Sequence, residues 1–232
     1  MTRTWNGRVK AARVLLLLVT SGVAAPAAGQ TQTEQRVWTA VSVQGGVGAG
    51  SPWRWASDSF VMARDGARTL DFLAERVLVT RDLTRRSGVG IGYTFGAWFP
   101  DTGSLREHRF VQQHTWSGGV SPRVSLRSRL EERFVTGQDA VLLRASQQVR
   151  VAWPLSARGR LQAVASEEMF VLANSTTRGP RGVESNQIFV GVARRLTARS
   201  GTEIGYVNVY SWSGSGRRQR SHVMSATLVV SM

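Results

Sequence analysis

The sequence has no cysteine, which excludes disulfides, thiolate metal sites and a cysteine nucleophile. Lysine is nearly absent: Lys10 is the only one, so the basic charge of the rest of the chain is all arginine. After the N-terminal Val14–Val19 run, no stretch approaches the roughly 18 consecutive apolar residues of a transmembrane helix. If this chain spans a membrane, it does so with strands. A G-x-S-x-G nucleophile elbow is also absent. No zinc motif and no basic helix accompany the arginines, so the sequence implies no metal, no cofactor and no nucleic-acid partner.

What is present is basic charge laid out at strand spacing. The formal charge is +15; residues 1–29 hold four basic and no acidic side chains, and +15 less those four leaves +11. Those first residues read as a secretory signal peptide. Arg3, Arg8, Lys10 and Arg13 precede a short apolar core, and Ala27-Ala28-Gly29 offers a cleavage site before Gln30. The division expected is a signal peptide over 1–29 and one domain over 30–232. A single all-β domain of that length is ordinary.

The most informative stretch is Arg123–Trp153. Arg123, Ser125, Arg127, Arg129, Glu131 and Arg133 share one parity, with Val124, Leu126, Ser128 and Leu130 on the other. After a break at Thr136–Asp139, Leu142, Arg144, Ser146, Gln148 and Arg150 alternate with Val141, Leu143, Ala145, Val149, Val151 and Trp153. Successive strand side chains point to opposite faces, so each run is a ribbon with one polar and one apolar side. Both runs exceed the usual globular strand of about 5 to 6 residues. Long alternating segments separated by turns are the mark of a membrane barrel, apolar outward and polar inward.

The remaining runs are Val37–Gln44, Trp53–Arg64, Thr69–Arg81, Gly88–Phe99, Leu105–Ser117, Arg160–Asn174, Asn186–Leu196, Thr202–Trp212 and Arg220–Met232. In Gly88–Phe99 the odd positions Val89, Ile91, Tyr93, Phe95, Ala97 and Phe99 oppose a row of glycines. That row leaves room for bulky arginines from neighbouring strands or permits sharp curvature. About eleven runs are counted, yet bacterial single-chain barrels have an even strand number. The fold expected is therefore an all-β, antiparallel, up-and-down transmembrane barrel of about 10–12 strands. Val37–Gln44 is the run that spoils the parity, either as an incomplete strand or because two runs elsewhere are merged.

A resemblance rests on Glu107-x-Arg109-Phe110-x-Gln112-Gln113, Arg127-x-Arg129-Leu130-Glu131-x-Arg133-Phe134, Glu168-x-Phe170, Asn186 and Glu203-x-Gly205-Tyr206. Together these resemble the outer-membrane barrel family catalogued as domain of unknown function 2490. The resemblance spans roughly Trp38 to Met232, with the RxRLExRF stretch its most specific part. The chain departs at Gln187, where the family tends to carry Arg after an Asn. The resemblance implies an outer-membrane barrel, its lipids and its assembly machinery as partners, and no activity.

The candidate functional residues are Glu107, Arg109, Arg127, Arg129, Glu131, Arg133, Arg144, Arg150, Glu168 and Glu203, expected as a lumen ladder. Its role is structural, or that of a narrow anion-biased pore. Paired carboxylates can act as general acid and base. Arginine neighbours instead favour the ionised form, the wrong direction for a general acid. Unlike charges on adjoining strands stabilise a sheet directly. No catalytic residue is assigned and the chain is read as a non-enzyme. A lipid-modifying hydrolase would draw on His108, His114 or His222, of which His108 and His114 share parity with Phe110 and Trp116. A soluble periplasmic β-sandwich or lipocalin-like binder is the other alternative. Arg64, Arg68, Arg178, Arg181, Arg217, Arg218 and Arg220 are expected at one end, where guanidiniums can clamp lipopolysaccharide phosphates.

Overall fold

Eleven strands close into one barrel in the computed structural model, which describes residues 31–232 except 102, 120, 157–158, 177–179 and 213–217. The expected signal peptide lies outside the described residues. The strands are β1 (Thr31–Gly46), β2 (Trp53–Arg64), β3 (Thr69–Asp82), β4 (Ser87–Trp98), β5 (Leu105–Gly118) and β6 (Arg123–Val135). They continue with β7 (Leu142–Pro154), β8 (Leu161–Leu172), β9 (Gly182–Arg195), β10 (Ser200–Trp212) and β11 (Arg218–Ser231). No helix of the described chain is long and apolar enough to cross a membrane.

Each strand pairs antiparallel with its sequence neighbours, but β1 and β11 pair parallel, from Thr31↔Arg218 to Gln44↔Ser231. Eleven strands fall within the 10–12 expected, but the number is odd rather than even, and the sheet is not antiparallel throughout. The run at Val37–Gln44 is a complete strand, 16 residues long. In an up-and-down barrel with an odd number of strands, the first and last run the same way, so the closing seam has to be parallel.

The chain reversals sort into two ends. The turns 47–52, 83–86, 119–122, 155–160 and 196–199 lie at one end, and the connections 65–68, 99–104, 136–141 and 173–181, with the facing ends of β10 and β11, at the other. We call these the short-turn end and the loop end.

Alternation puts apolar side chains outside and charge inside. Ile91, Val190 and Met224, all outward-facing, are 69%, 57% and 58% exposed, whereas Glu107, Glu131, Arg133 and Glu168 are buried. The inner glycines of β4 are not spaces for arginine, as the sequence suggested. A Cβ at Gly92 would come within 2.5 Å of the Val77 carbonyl oxygen, so these strands approach too closely for any side chain there. A Cβ at Gly96 would meet the Phe72 ring at 2.8 Å. Phe72 in turn stacks on Trp98, with centroids 4.2 Å apart. The outer face is not uniformly apolar: strand parity also directs Glu75, Glu132 and Glu167 outward, with Glu75 accepting from Ser57 at 2.7 Å and Ser59 at 2.5 Å.

Candidate functional site: a charge network inside the barrel

All ten candidate residues project into the lumen, and their pairing follows from where strand register and barrel curvature bring them. Glu107, on β5 near the loop end, has no exposed surface. It accepts from the Trp98 indole at 3.0 Å, from Arg109 at 2.8 Å and from the Arg133 Nε. A carboxylate taken out of water needs such donors, because burial of an unpaired charge is costly. Arg109 also lies over the Phe72 ring, 5.5 Å from its centroid.

From Arg133 the network runs inside the wall to β9, passing over β8. Its Nη1 donates to Glu184 at 3.2 Å, and Arg144 donates to the other Glu184 oxygen at 3.1 Å. Arg144 also donates to Glu131, through Nε at 2.9 Å and Nη2 at 2.5 Å. Glu131 reaches Arg129 at 3.7 Å. The arginines of β6 and β7 thus meet a carboxylate of β9 rather than only their strand neighbours. Planar guanidinium with five N–H donors is suited to linking several carboxylates in this way.

Two further groups lie closer to the short-turn end. Glu168 accepts from Arg127 at 2.8 Å, Ser146 at 2.9 Å and Gln148 at 3.3 Å. Arg150 makes a two-pronged contact with Glu203 of β10, one arm at 3.0 Å. Gln187, the departure noted in the sequence, faces inward opposite Glu168, while Asn186 turns outward and donates to Glu167 at 2.8 Å.

Sequence reasoning missed several lumen carboxylates. Glu184 lies between the runs Arg160–Asn174 and Asn186–Leu196 and so falls outside every run read from the sequence. It occupies a β-bulge, since Phe170 pairs with Ser185 and Val171 with Val183. The extra residue lets Glu184 and Ser185 both turn inward, which strict alternation forbids. Asp71 is placed the same way: Met62 pairs with Phe72 and Ala63 with Leu70, leaving Asp71 over. Asp71 accepts from Arg36 at 2.7 Å and lies 3.9 Å from Arg64. Asp58 pairs with Arg76 at 2.7 Å, and Asp82 with Arg54 at 2.5 Å. For Asp58 the only signal was a charge inside a strand run, because Ala56 and Phe60 share its face. For Glu184 and Asp71 no local signal exists, because a bulge is set by the partner strand. Glu184 offsets part of the arginine excess that the ladder alone carries, while the aspartates answer arginines outside it.

The loop-end arginines separate. Arg64 is engaged with Asp101 at 2.5 Å, and its guanidinium holds that carboxyl below its ordinary value. Arg68, Arg181, Arg218 and Arg220 lie at the same end, while Arg178 and Arg217 fall outside the described residues. The histidines all face outward: His108 meets Tyr93 at 2.5 Å, His222 meets Tyr206, and His114 Nε2 lies 2.9 Å from Ser87 Oγ. Among the described residues no carboxylate contacts His114, so Ser87 and His114 form a pair without a third member. No group of His, Asp or Glu among the described residues has the arrangement of a metal site.

A family model described as Protein of unknown function (DUF2490) matches residues 35–220. An uncharacterized protein of Methylorubrum extorquens strain AM1 is 31% identical over 128 residues, which is 53% of this chain and 56% of that protein. The chain therefore matches little more than half the length of this curated relative. No solved structure matches.

Proposed function

The chain belongs to the family of unknown function DUF2490, and from that premise and its closed barrel we propose that it is an exported outer-membrane barrel whose lumen is braced by its arginine–carboxylate network. The observation that carries this reading is the inversion of the usual globular pattern. Ile91, Phe110, Val190, Ile204 and Met224 stand exposed on the outer wall while Glu107, Arg133 and Glu131 are buried within it. Water outside and charge inside would be an unfavourable arrangement; lipid outside makes it favourable. Strands of 12 to 16 residues suit a tilted crossing of the bilayer.

In this reading the ladder residues Glu107, Arg109, Arg127, Arg129, Glu131, Arg133, Arg144, Arg150, Glu168 and Glu203 are structural. An eight-stranded barrel is just filled by side chains. An eleven-stranded one is wider, and long guanidiniums spanning to carboxylates are what fill it. Any residual conduction would be narrow and biased towards anions by the arginines. Outer-membrane lipids and the assembly machinery are the partners, with lipopolysaccharide phosphates meeting the loop-end arginines Arg68 and Arg220.

One observation favours a second reading. The outward carboxylates Glu75, Glu132 and Glu167 suit water better than acyl chains, as a soluble periplasmic binding barrel would present them. Fractionation decides between the two. The membrane reading expects the protein in the detergent-extracted membrane fraction, with a gel mobility that changes on boiling. Recovery from the soluble periplasm, with no heat-dependent shift, would reject it.

A further inference from the structure

We propose that the lumen at the short-turn end is a pocket that binds a small oxyanion-bearing solute, a phosphate or carboxylate on a molecule of about sugar-phosphate size. The proposal does not depend on where the barrel resides, because the pocket is built by the barrel itself. A cavity of about 650 Å³ opens there, within the usual range of about 300–1,000 Å³ for small-molecule sites. Its lining holds Arg54, Arg85, Arg86 and Arg127 with the amides Gln113 and Gln148, against one acidic side chain, Asp82. Asp82 is already engaged by Arg54.

Three observations make this a binding pocket rather than a solvated channel mouth. The first is its floor. Beyond the cavity, towards the loop end, Arg133 and Arg144 of β6 and β7 reach over β8 to Glu184 of β9 and narrow the lumen. A solute entering from the short-turn end meets that network.

The second is unspent donor capacity. Arg127 gives one Nη to Glu168, and its buried Nε has no partner. Behind it, the buried Arg129 is held only by Gln113 at 3.4 Å and Glu131 at 3.7 Å, with its Nε likewise unpartnered. Arg85 and Arg86, in the exposed turn 83–86, enter no ion pair among the described residues. Buried donors without acceptors are rare and call for an acceptor. A planar guanidinium matches carboxylate and phosphate oxygens in pairs.

The third is the field around the opening. Arg81, Arg123, Arg160, Arg194 and Arg199 stand exposed on the same rim. Among the described residues, Asp82 is the only acidic side chain in the short turns or the three strand residues beside them. The loop end, by contrast, carries Asp65, Asp101 and Asp139. One sign of charge around a low-dielectric cleft concentrates counter-ions and raises their on-rate. The arginine excess of this chain is therefore not spread evenly. It rings the entrance of this cavity.

The test is titration calorimetry on the folded full chain in zwitterionic detergent, with pyrophosphate and citrate as probes and glucose as the neutral control. Saturable binding of at least one anion is expected, weakening as salt is raised; glucose gives none. The Arg85→Gln/Arg86→Gln double variant lies in an exposed turn and should fold normally while losing roughly tenfold in affinity. Arg127→Gln should lose at least as much. Thr115→Trp, which fills the cavity without changing charge, should abolish binding, and Arg68→Gln at the loop end should leave it unchanged. Pyrophosphate binding over citrate identifies a phosphate-bearing solute, and the reverse a carboxylate. Absence of heat with both anions overturns the proposal. So does full affinity in the double variant, full affinity in Thr115→Trp (which would put the anion on the rim), or an equal loss in Arg68→Gln.

Discussion

At the scale of single residues, the network is sensitive to which member is removed. Glu131 is buried and takes two donations from Arg144. Glu131→Ala leaves that guanidinium facing one remaining partner, Glu184, and should cost about 3–5 kcal/mol. The adjacent Glu132 faces outward and enters no ion pair among the described residues, so Glu132→Gln should be neutral or better in detergent. Thermal unfolding of the two variants checks this, and equal destabilisation would refute the inner-network account. Glu184→Gln should behave like Glu131→Ala in direction, because it loosens Arg133 and Arg144 together. A Glu184 variant as stable as wild type would mean that the contacts over β8 contribute nothing.

At the scale of the element, strand faces and close approaches make separate demands. Val149 faces outward at the middle of β7 and Gln148 faces inward onto the cavity, next to Glu168. Val149→Arg should cost roughly 2–4 kcal/mol, whereas Gln148→Arg should assemble. Yield of the heat-shifted form on a gel compares them, and equal yields would show that the outer wall does not meet lipid. Parity by itself would also admit arginine at Ser146. The structure does not, since Ser146 is buried against Glu168. On β4, Gly92→Ala drives a methyl towards the Val77 carbonyl oxygen, and backbone has to shift. A loss of about 1–3 kcal/mol is expected. The same change at Gly46, where a Cβ would meet nothing nearer than 3.8 Å, should cost far less.

For the whole molecule, the odd strand number and the network together set what the barrel can do. The parallel seam between β1 and β11 is joined along its length, and Met232 N donates to Gln44 O at 2.9 Å. Closure removes the exposed edges that invite aggregation. Because the contacts inside the wall join β6 and β7 to β9 and β10, wild-type protein in planar bilayers should show no large steady conductance. Glu184→Ala should raise whatever current there is and bias it towards anions, since Arg133 and Arg144 are left with less counter-charge. A large cation-selective current in wild type would contradict both the bracing role and the narrowed floor of the pocket.

The sequence by itself determined the properties that alternation encodes. Period-two patterning settled the all-β class, the faces of β4, β6 and β7, and which ladder residues turn inward, because side-chain direction along a strand is a local consequence of the pleat. It also yielded eleven runs, though the parity rule led to one of them being doubted. What only the tertiary structure decided is everything set by a partner strand. Arg133 meets Glu184 from 51 positions away, and Arg150 meets Glu203 from 53; curvature and register, not spacing, bring them together. Bulges opposite Phe170 and Met62 turn Glu184 and Asp71 inward against their expected parity. The parallel seam exists only once the barrel closes. The cationic rim likewise becomes one feature only when short turns scattered from 83 to 199 are gathered at the same end. Those are relations between strands, and no local pattern carries them.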